Sequence, residues 1–210
     1  MKINTRIALC SAALAVTMLP AVAQNSNPPA NPPANPPANP PATINQRKEN
    51  QQDRIANGVA SGQLTAGETA NLEKKESNLN KEEHLMRTED NGKLTGADRK
   101  VLNQQQNQLS NQIYRDKHNA AVQNTNPKSE VGKRAENQQD RIAQGIKSGQ
   151  LTAGEASNLE HKEAGINREV RNDRAANGGK LTPQERAQVN RQQNRVSNQI
   201  YNKKHNGRRQ

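Results

Sequence analysis

The sequence predicts an all-α protein: two tandem three-helix repeats, with helix–loop–helix and coiled-coil-like packing, behind a disordered Pro-rich N-terminal segment. Three observations predict this fold class. An internal repeat covers most of the chain, signals that end one helix and start the next occur four times, and apolar residues recur at helical spacing.

Residues 1–23 have the features of a cleaved signal peptide. Lys2 and Arg6 give a positive start, an apolar stretch follows at 7–16, and residues 21–23 offer the small-x-small pattern of a cleavage site before Gln24. The apolar stretch is short for a membrane span. We therefore expect a periplasmic or secreted protein with no transmembrane segment after cleavage.

The composition of the mature chain, taken alone, is typical of disorder. Without the two signal-peptide cations, 29 basic residues stand against 20 acidic ones, a net charge of +9, and only 24 of residues 24–210 are Leu, Ile or Val. The single cysteine, Cys10, lies in the signal peptide. Its removal excludes disulfides, thiol chemistry and cysteine-type zinc sites.

A proline-rich spacer is predicted at 24–43. Four consecutive Asn-Pro-Pro-Ala tetrads fill residues 27–42. Proline fixes φ and restricts the residue before it, so this tract favours polyproline II and excludes helix and sheet. We interpret it as a disordered, semi-rigid spacer; a ligand for a proline-recognition domain is the alternative.

The repeat sets the domain organisation. Residues 49–120 align without a gap on residues 136–207 at an offset of 87, with 42 identities in 72 positions. This alignment predicts helical repeat 1 at 44–120 and helical repeat 2 at 134–207, with a polar linker at 121–133 between them. A basic tail follows at 208–210.

Four copies of a Gly-x-Leu-Thr-x-x-acid motif mark the helix boundaries, at 62–68, 92–98, 149–155 and 179–185. The glycine tolerates the left-handed backbone that ends a helix, the threonine caps the next helix, and the acid closes a capping box. The predicted capping residues are Thr65, Glu68, Thr95, Asp98, Thr152, Glu155, Thr182 and Glu185. The motifs predict helices near 45–60, 66–89, 96–118, 132–147, 153–176 and 183–204.

The apolar stripe along these helices is thin. Leu72, Leu79 and Met86 are seven residues apart, whereas a full coiled-coil seam carries two apolar residues per heptad. The stripe continues at Leu102, Leu109 and Ile113, and in repeat 2 at Val189, Val196 and Ile200. Each repeat is therefore expected to be marginal as an isolated domain, and self-association or a partner would supplement it.

The Gly-x-Leu-Thr-x-x-acid motif also resembles the second half of an EF-hand loop. The resemblance implies calcium ligands at Glu68, Asp98, Glu155 and Glu185. An EF-hand needs oxygen ligands earlier in the loop as well, and two of these loops place Arg87 and Arg174 at the first ligand position. We predict no metal and no cofactor, and keep a degenerate calcium-binding module as an alternative.

The segments that open with Leu-Thr, such as 64–68 and 181–185, are similar to the Leu-Thr-x-x-Gln motif of the periplasmic chaperone family of Spy and CpxP. Glu or Asp stands in place of Gln in all four copies. The resemblance implies a small, exported, helical protein whose cationic surface holds unfolded client proteins. A Spy-like envelope stress chaperone is therefore a second alternative.

No catalytic constellation is present, so we predict that the chain is not an enzyme. Basic residues are spread along the helices and become denser at the C-terminal end, where a cationic segment attracts polyanions without sequence preference. The candidate polyanion-binding residues are Lys117, Lys203, Lys204, Arg208 and Arg209. The predicted function is that of an exported, non-enzymatic structural or interaction protein whose basic helical surface meets anionic envelope polymers or unfolded partners.

Overall fold

A computed structural model of the chain describes residues 42–210. This part contains six helices and no strand: α1 (Ile44–Ala60), α2 (Ala66–Glu89), α3 (Gly96–Lys117), α4 (Glu130–Lys147), α5 (Ala153–Ala176) and α6 (Pro183–Lys204). The predicted all-α fold class is confirmed, and every predicted helix boundary lies within two residues of the observed one. The predicted signal peptide and almost all of the predicted spacer lie outside the described residues.

All six helices begin at a side-chain cap. A threonine hydroxyl accepts the backbone N–H three residues later, and the side chain at that later position accepts the threonine N–H, at Thr43, Thr65, Thr95, Thr152 and Thr182. Helix α4 begins at Ser129, whose hydroxyl accepts the Gly132 N–H without a reciprocal bond. These caps satisfy N–H groups that have no partner within the helix.

Between α1 and α2, and again between α4 and α5, the chain turns at a left-handed glycine. Gly62 has φ 70° and Gly149 has φ 65°. Segments from the far ends of the repeats join these turns: the Gln123 N–H donates to the Gly62 carbonyl at 2.8 Å, and the Gln210 N–H donates to the Gly149 carbonyl at 3.1 Å. The segment after α3 and the segment after α6 therefore follow equivalent paths.

The two repeats pack together, so residues 41–210 form one compact unit. Helix α2 packs along α5 and α1 along α4, each helix thus meeting its own counterpart. The Ser157 hydroxyl donates to the carbonyl of Ala70, its counterpart at the offset of 87 (2.8 Å). Gly154 lies against Ser77, and their counterparts Gly67 and Ala164 line a common groove. These reciprocal contacts indicate an approximate twofold relation with α2 antiparallel to α5.

Polar side chains fill the gaps in the thin apolar stripe. On α2, Glu76 and Glu83 alternate with Leu72, Leu79 and Met86 at the spacing of a coiled-coil seam, and both glutamates are buried. On α1, α3, α4 and α6, buried glutamines lie among the apolar residues in the same way: Gln51, Gln52, Gln106, Gln138, Gln139 and Gln193. The main apolar cluster contains residues of both repeats. Much of the support that a single repeat lacks therefore comes from the other repeat of the same chain.

Candidate functional site: a basic groove between α2 and α5

One basic groove collects side chains from both repeats. It has a volume of about 810 Å³ and lies between the second half of α2 and the first turn of α5. We name it the tail groove, since the segment after α6 forms one of its walls. The basic residues that line it are Lys48, Lys81, His84, Lys203, Arg208 and Arg209.

The segment after α6, which forms one wall of the tail groove, is held in place by hydrogen bonds to the start of α5. The Ala153 N–H donates to Oε1 of Gln210 at 2.7 Å, which satisfies one of the free N–H groups of the helix. The Asn206 side chain donates to Oε1 of Glu155 at 2.7 Å, and the Arg208 N–H donates to Oδ1 of Asn206 at 2.9 Å. This short segment therefore has a defined conformation, which positions the side chains of residues 208 and 209.

The groove has an excess of positive charge. Lys48 is paired with Glu83 at 2.8 Å, and Lys203 lies 3.8 Å from Glu155. The other cations of the lining, Lys81, Arg208 and Arg209, form no ion pair with any described residue. The N-terminus of α5 adds the positive end of a helix dipole at the same place.

Glu155 is the one acidic residue in the described lining of the tail groove. Burial opposes its charged form, but hydrogen bonds from Asn206 and Thr152 and the charge of Lys203 hold the pKa of this carboxyl below its ordinary value. Its carboxylate is therefore engaged in capping α5. It offsets Lys203 and leaves the three unpaired cations uncompensated.

The structure divides the five predicted polyanion-binding residues between different places. Lys203, Arg208 and Arg209 line the tail groove, whereas Lys117 and Lys204 are outside its lining. The Lys204 ammonium donates to Oε1 of Gln144 at 3.1 Å. The stems of Lys117 and Lys204 pack over Gly58 and Gly145. Burial and a neighbouring arginine, Arg54 or Arg141, lower the pKa of these two lysines.

Sequence reasoning missed the contribution of repeat 1 to this groove. Lys48, Lys81 and His84 stand more than 100 residues from the tail in sequence, and nothing local distinguishes them from other exposed cations. They reach the site because α2 packs antiparallel to α5, which brings the second half of α2 beside the start of α5. Only knowledge of how the helices pair would have revealed them.

The four acids that the EF-hand resemblance would make calcium ligands form the side-chain half of the capping boxes. The backbone N–H of the capping threonine donates to the acid three residues later at 2.9 Å for Glu68, 2.8 Å for Asp98, 3.2 Å for Glu155 and 2.8 Å for Glu185. Within residues 42–210, no three His, Cys, Asp or Glu side chains are grouped so that they could hold a metal ion.

Comparison of the chain with protein-family models, with curated proteins and with solved structures returns no match. In the part of the chain that the structure describes, no helix combines the length and the apolar character that crossing a membrane requires.

Proposed function

We propose that this chain is an exported, non-enzymatic interaction protein that binds an anionic polymer of the cell envelope in its tail groove. The observation that carries the proposal is the convergence of Lys81, Arg208 and Arg209, from opposite repeats, beside the N-terminus of α5. Arginine offers a planar fork of donors that suits phosphate, sulfate and carboxylate groups.

The groove supports a polymer better than a small ligand. Its cations extend from Lys48 on α1 to Arg209 beyond α6, so successive charges along a chain can each meet one of them. Binding of this kind gains free energy from the release of counterions, and its affinity therefore falls steeply with salt. Near the groove, the exposed apolar surface is limited to Leu85 among large side chains of the lining. An anionic partner therefore fits this surface better than an unfolded client.

The test uses the mature chain, residues 24–210, and heparin as the probe. The site variant is Lys81→Gln/Arg208→Gln/Arg209→Gln. The control variant, Lys100→Gln/Arg191→Gln/Arg195→Gln, removes the same charge from exposed positions of α3 and α6. Affinity is measured by calorimetry between roughly 50 and 200 mM salt. We expect the site variant to bind about tenfold or more weakly, with a shallower salt dependence, and the control to lose less than about threefold.

Equal losses in the two variants would show that binding uses charge spread over the whole surface, and would reject the tail groove as the site. Absence of salt-sensitive binding by the unaltered chain would reject the polymer itself. Suppression of client aggregation by the unaltered chain, without heparin binding, would favour the chaperone alternative instead.

A further inference from the structure

Four glutamates are buried on α2 and α5, the two helices whose packing joins the repeats. Glu73 and Glu76 are on the inner face of α2, and their counterparts Glu160 and Glu163 are on the inner face of α5. Three are fully buried and Glu76 is 1% exposed. We name these four residues the carboxyl cluster. No role in capping or in the tail groove accounts for it.

The cluster has too few hydrogen-bond partners for four charged carboxylates. The Gln52 amide donates to Oε2 of Glu73 at 3.2 Å, and the Gln139 amide donates to Oε2 of Glu160 at 2.8 Å. The other oxygen of each of these two carboxyls, one oxygen of Glu76 and both oxygens of Glu163 have no partner among the described residues. A buried carboxylate in this position is strongly unfavourable, whereas a protonated carboxyl is tolerated.

The charges that face the cluster do not compensate it. From α1, Lys48 favours the charged form of Glu76, while Glu83 on α2 opposes it. From α4 comes only the neutral Gln139 amide, and within the cluster Glu73 and Glu163 both disfavour ionisation of Glu160. Burial, the largest cause throughout, raises the pKa of Glu73 and Glu163 to about 8, raises that of Glu76 to about 7, and places that of Glu160 well above its ordinary value.

We propose that the carboxyl cluster makes the contact between α2 and α5 a pH-sensitive clasp, which holds the repeats together near pH 5 and loosens toward alkaline pH. In the unfolded chain these carboxyls lose their protons near their ordinary pKa of 4.5, whereas the folded chain keeps those of Glu73, Glu76 and Glu163 until about pH 7 to 8, and burial raises the pKa of Glu160 well above its ordinary value as well. The folded state therefore binds more protons throughout this window, and its stability falls as the pH rises through it.

The clasp acts on the contact that joins the repeats. The packing of α2 on α5 is the most extensive helix contact in the described chain, and Glu73 on α2 lies close enough to Glu160 on α5 for its charge to disfavour ionisation of Glu160. Ionisation is therefore expected to weaken this contact, together with the packing of α1 and α4 on these helices through Gln52 and Gln139. Amides of α2 and α5 are expected to lose protection from hydrogen exchange at alkaline pH before those of α3 and α6.

The test compares thermal unfolding of the mature chain between roughly pH 5 and pH 8.5 with that of Glu73→Gln/Glu76→Gln/Glu160→Gln/Glu163→Gln. The matched control, Glu49→Gln/Asp53→Asn/Glu89→Gln/Asp140→Asn, neutralises four exposed carboxylates. The melting temperature of the unaltered chain and of the control should fall by about 10 °C or more across this range, and that of the cluster variant by less than about 3 °C. A melting temperature of the unaltered chain that does not fall, or an equal fall in the cluster variant, would overturn the proposal.

A single substitution keeps the proposal testable should the fourfold variant fail to fold. Glu163→Gln removes the carboxyl that has no partner on either oxygen, so it should visibly reduce the alkaline fall in melting temperature. Loss of hydrogen-exchange protection that is uniform over all six helices, or a pH dependence that Glu163→Gln leaves unchanged, would contradict the clasp.

Discussion

The tail groove has a counterpart in repeat 1, and the two differ in what covers them. The counterpart, named here the linker groove, has a volume of about 580 Å³ and lies between the start of α2 and the second half of α5. Gly67 stands where Gly154 stands in the tail groove, and Arg168 where Lys81 stands. Beyond Gln123, however, the chain continues over the linker groove, and Pro127 and Val131 form part of its lining.

The side chains at corresponding positions differ as well. Ala121 and Val122 stand where the tail groove has Arg208 and Arg209, and Ala135 stands where it has Lys48. Arg174 of the linker groove donates to the Ser129 hydroxyl at 3.1 Å, which ties α5 to the linker. One backbone arrangement therefore supports two uses. In the linker groove it carries the connection between the repeats, and in the tail groove it holds the C-terminal segment with Arg208 and Arg209.

The largest expected effect is a loss of stability when the ion pair between Lys48 and Glu83 of repeat 1 is replaced, one residue at a time, by the residues of repeat 2. Lys48 and Glu83 correspond to Ala135 and Val170. Lys48→Ala leaves a buried Glu83 with Arg87 as its remaining ion-pair partner (2.7 Å), so it should lower the free energy of unfolding by about 2 kcal/mol. Lys48→Ala/Glu83→Val replaces both partners by the residues of repeat 2 and should recover most of that loss. Urea denaturation of the two variants measures this difference; a double variant less stable than the single one would contradict it.

An exchange of side chains between the two grooves is expected to have the next largest effect. Arg208→Ala/Arg209→Val gives the tail groove the residues of the linker groove and should weaken heparin binding by about tenfold, about 1.4 kcal/mol. The reciprocal Ala121→Arg/Val122→Arg should strengthen binding by no more than about twofold, because the linker covers part of that groove. Calorimetry measures the heparin affinity of both variants. A gain in affinity in the second variant as large as the loss in the first would show that the linker does not obstruct the linker groove.

The smallest expected effect concerns the two glutamines that join the glycine turns. Gln210 donates its backbone N–H to Gly149, and its side chain also accepts the Ala153 N–H. Among the described hydrogen bonds, Gln123 joins its turn only through its backbone N–H to Gly62, and its side chain takes no part. Gln210→Ala should therefore cost about 1 kcal/mol of unfolding free energy and Gln123→Ala less than about 0.5 kcal/mol. Denaturant titrations that found equal costs would argue against a capping role for the Gln210 side chain.

The helices of this fold could be predicted from sequence because their boundaries depend on local chemistry. Each Gly-x-Leu-Thr-x-x-acid motif specifies a left-handed turn and a capping box within seven residues, and the structure has both at each motif. The capping box at Thr43 and Gln46 was not predicted, because it precedes the first motif.

The pairing of the repeats could not be predicted in the same way. The sequence predicts two helical domains joined by a polar linker, and both repeats lie in one compact unit of the structure. The contact joins α2 to α5, which are far apart in the chain. It also buries glutamates, although charged residues in a helix normally predict a solvent-exposed face. A signal was present, however: Glu76 and Glu163 fall midway between apolar residues seven apart, and both repeats have the acid there.

The reciprocal packing of α2 on α5 resembles the interface between two identical subunits. A surface that packs on its own near-copy by a twofold operation has the geometry of a homodimer interface, and here both copies belong to one polypeptide. Fusion replaces a bimolecular association by an intramolecular one, with an effective concentration on the order of millimolar. In one chain the two halves stay together at any dilution, and each half can change at positions where the other does not.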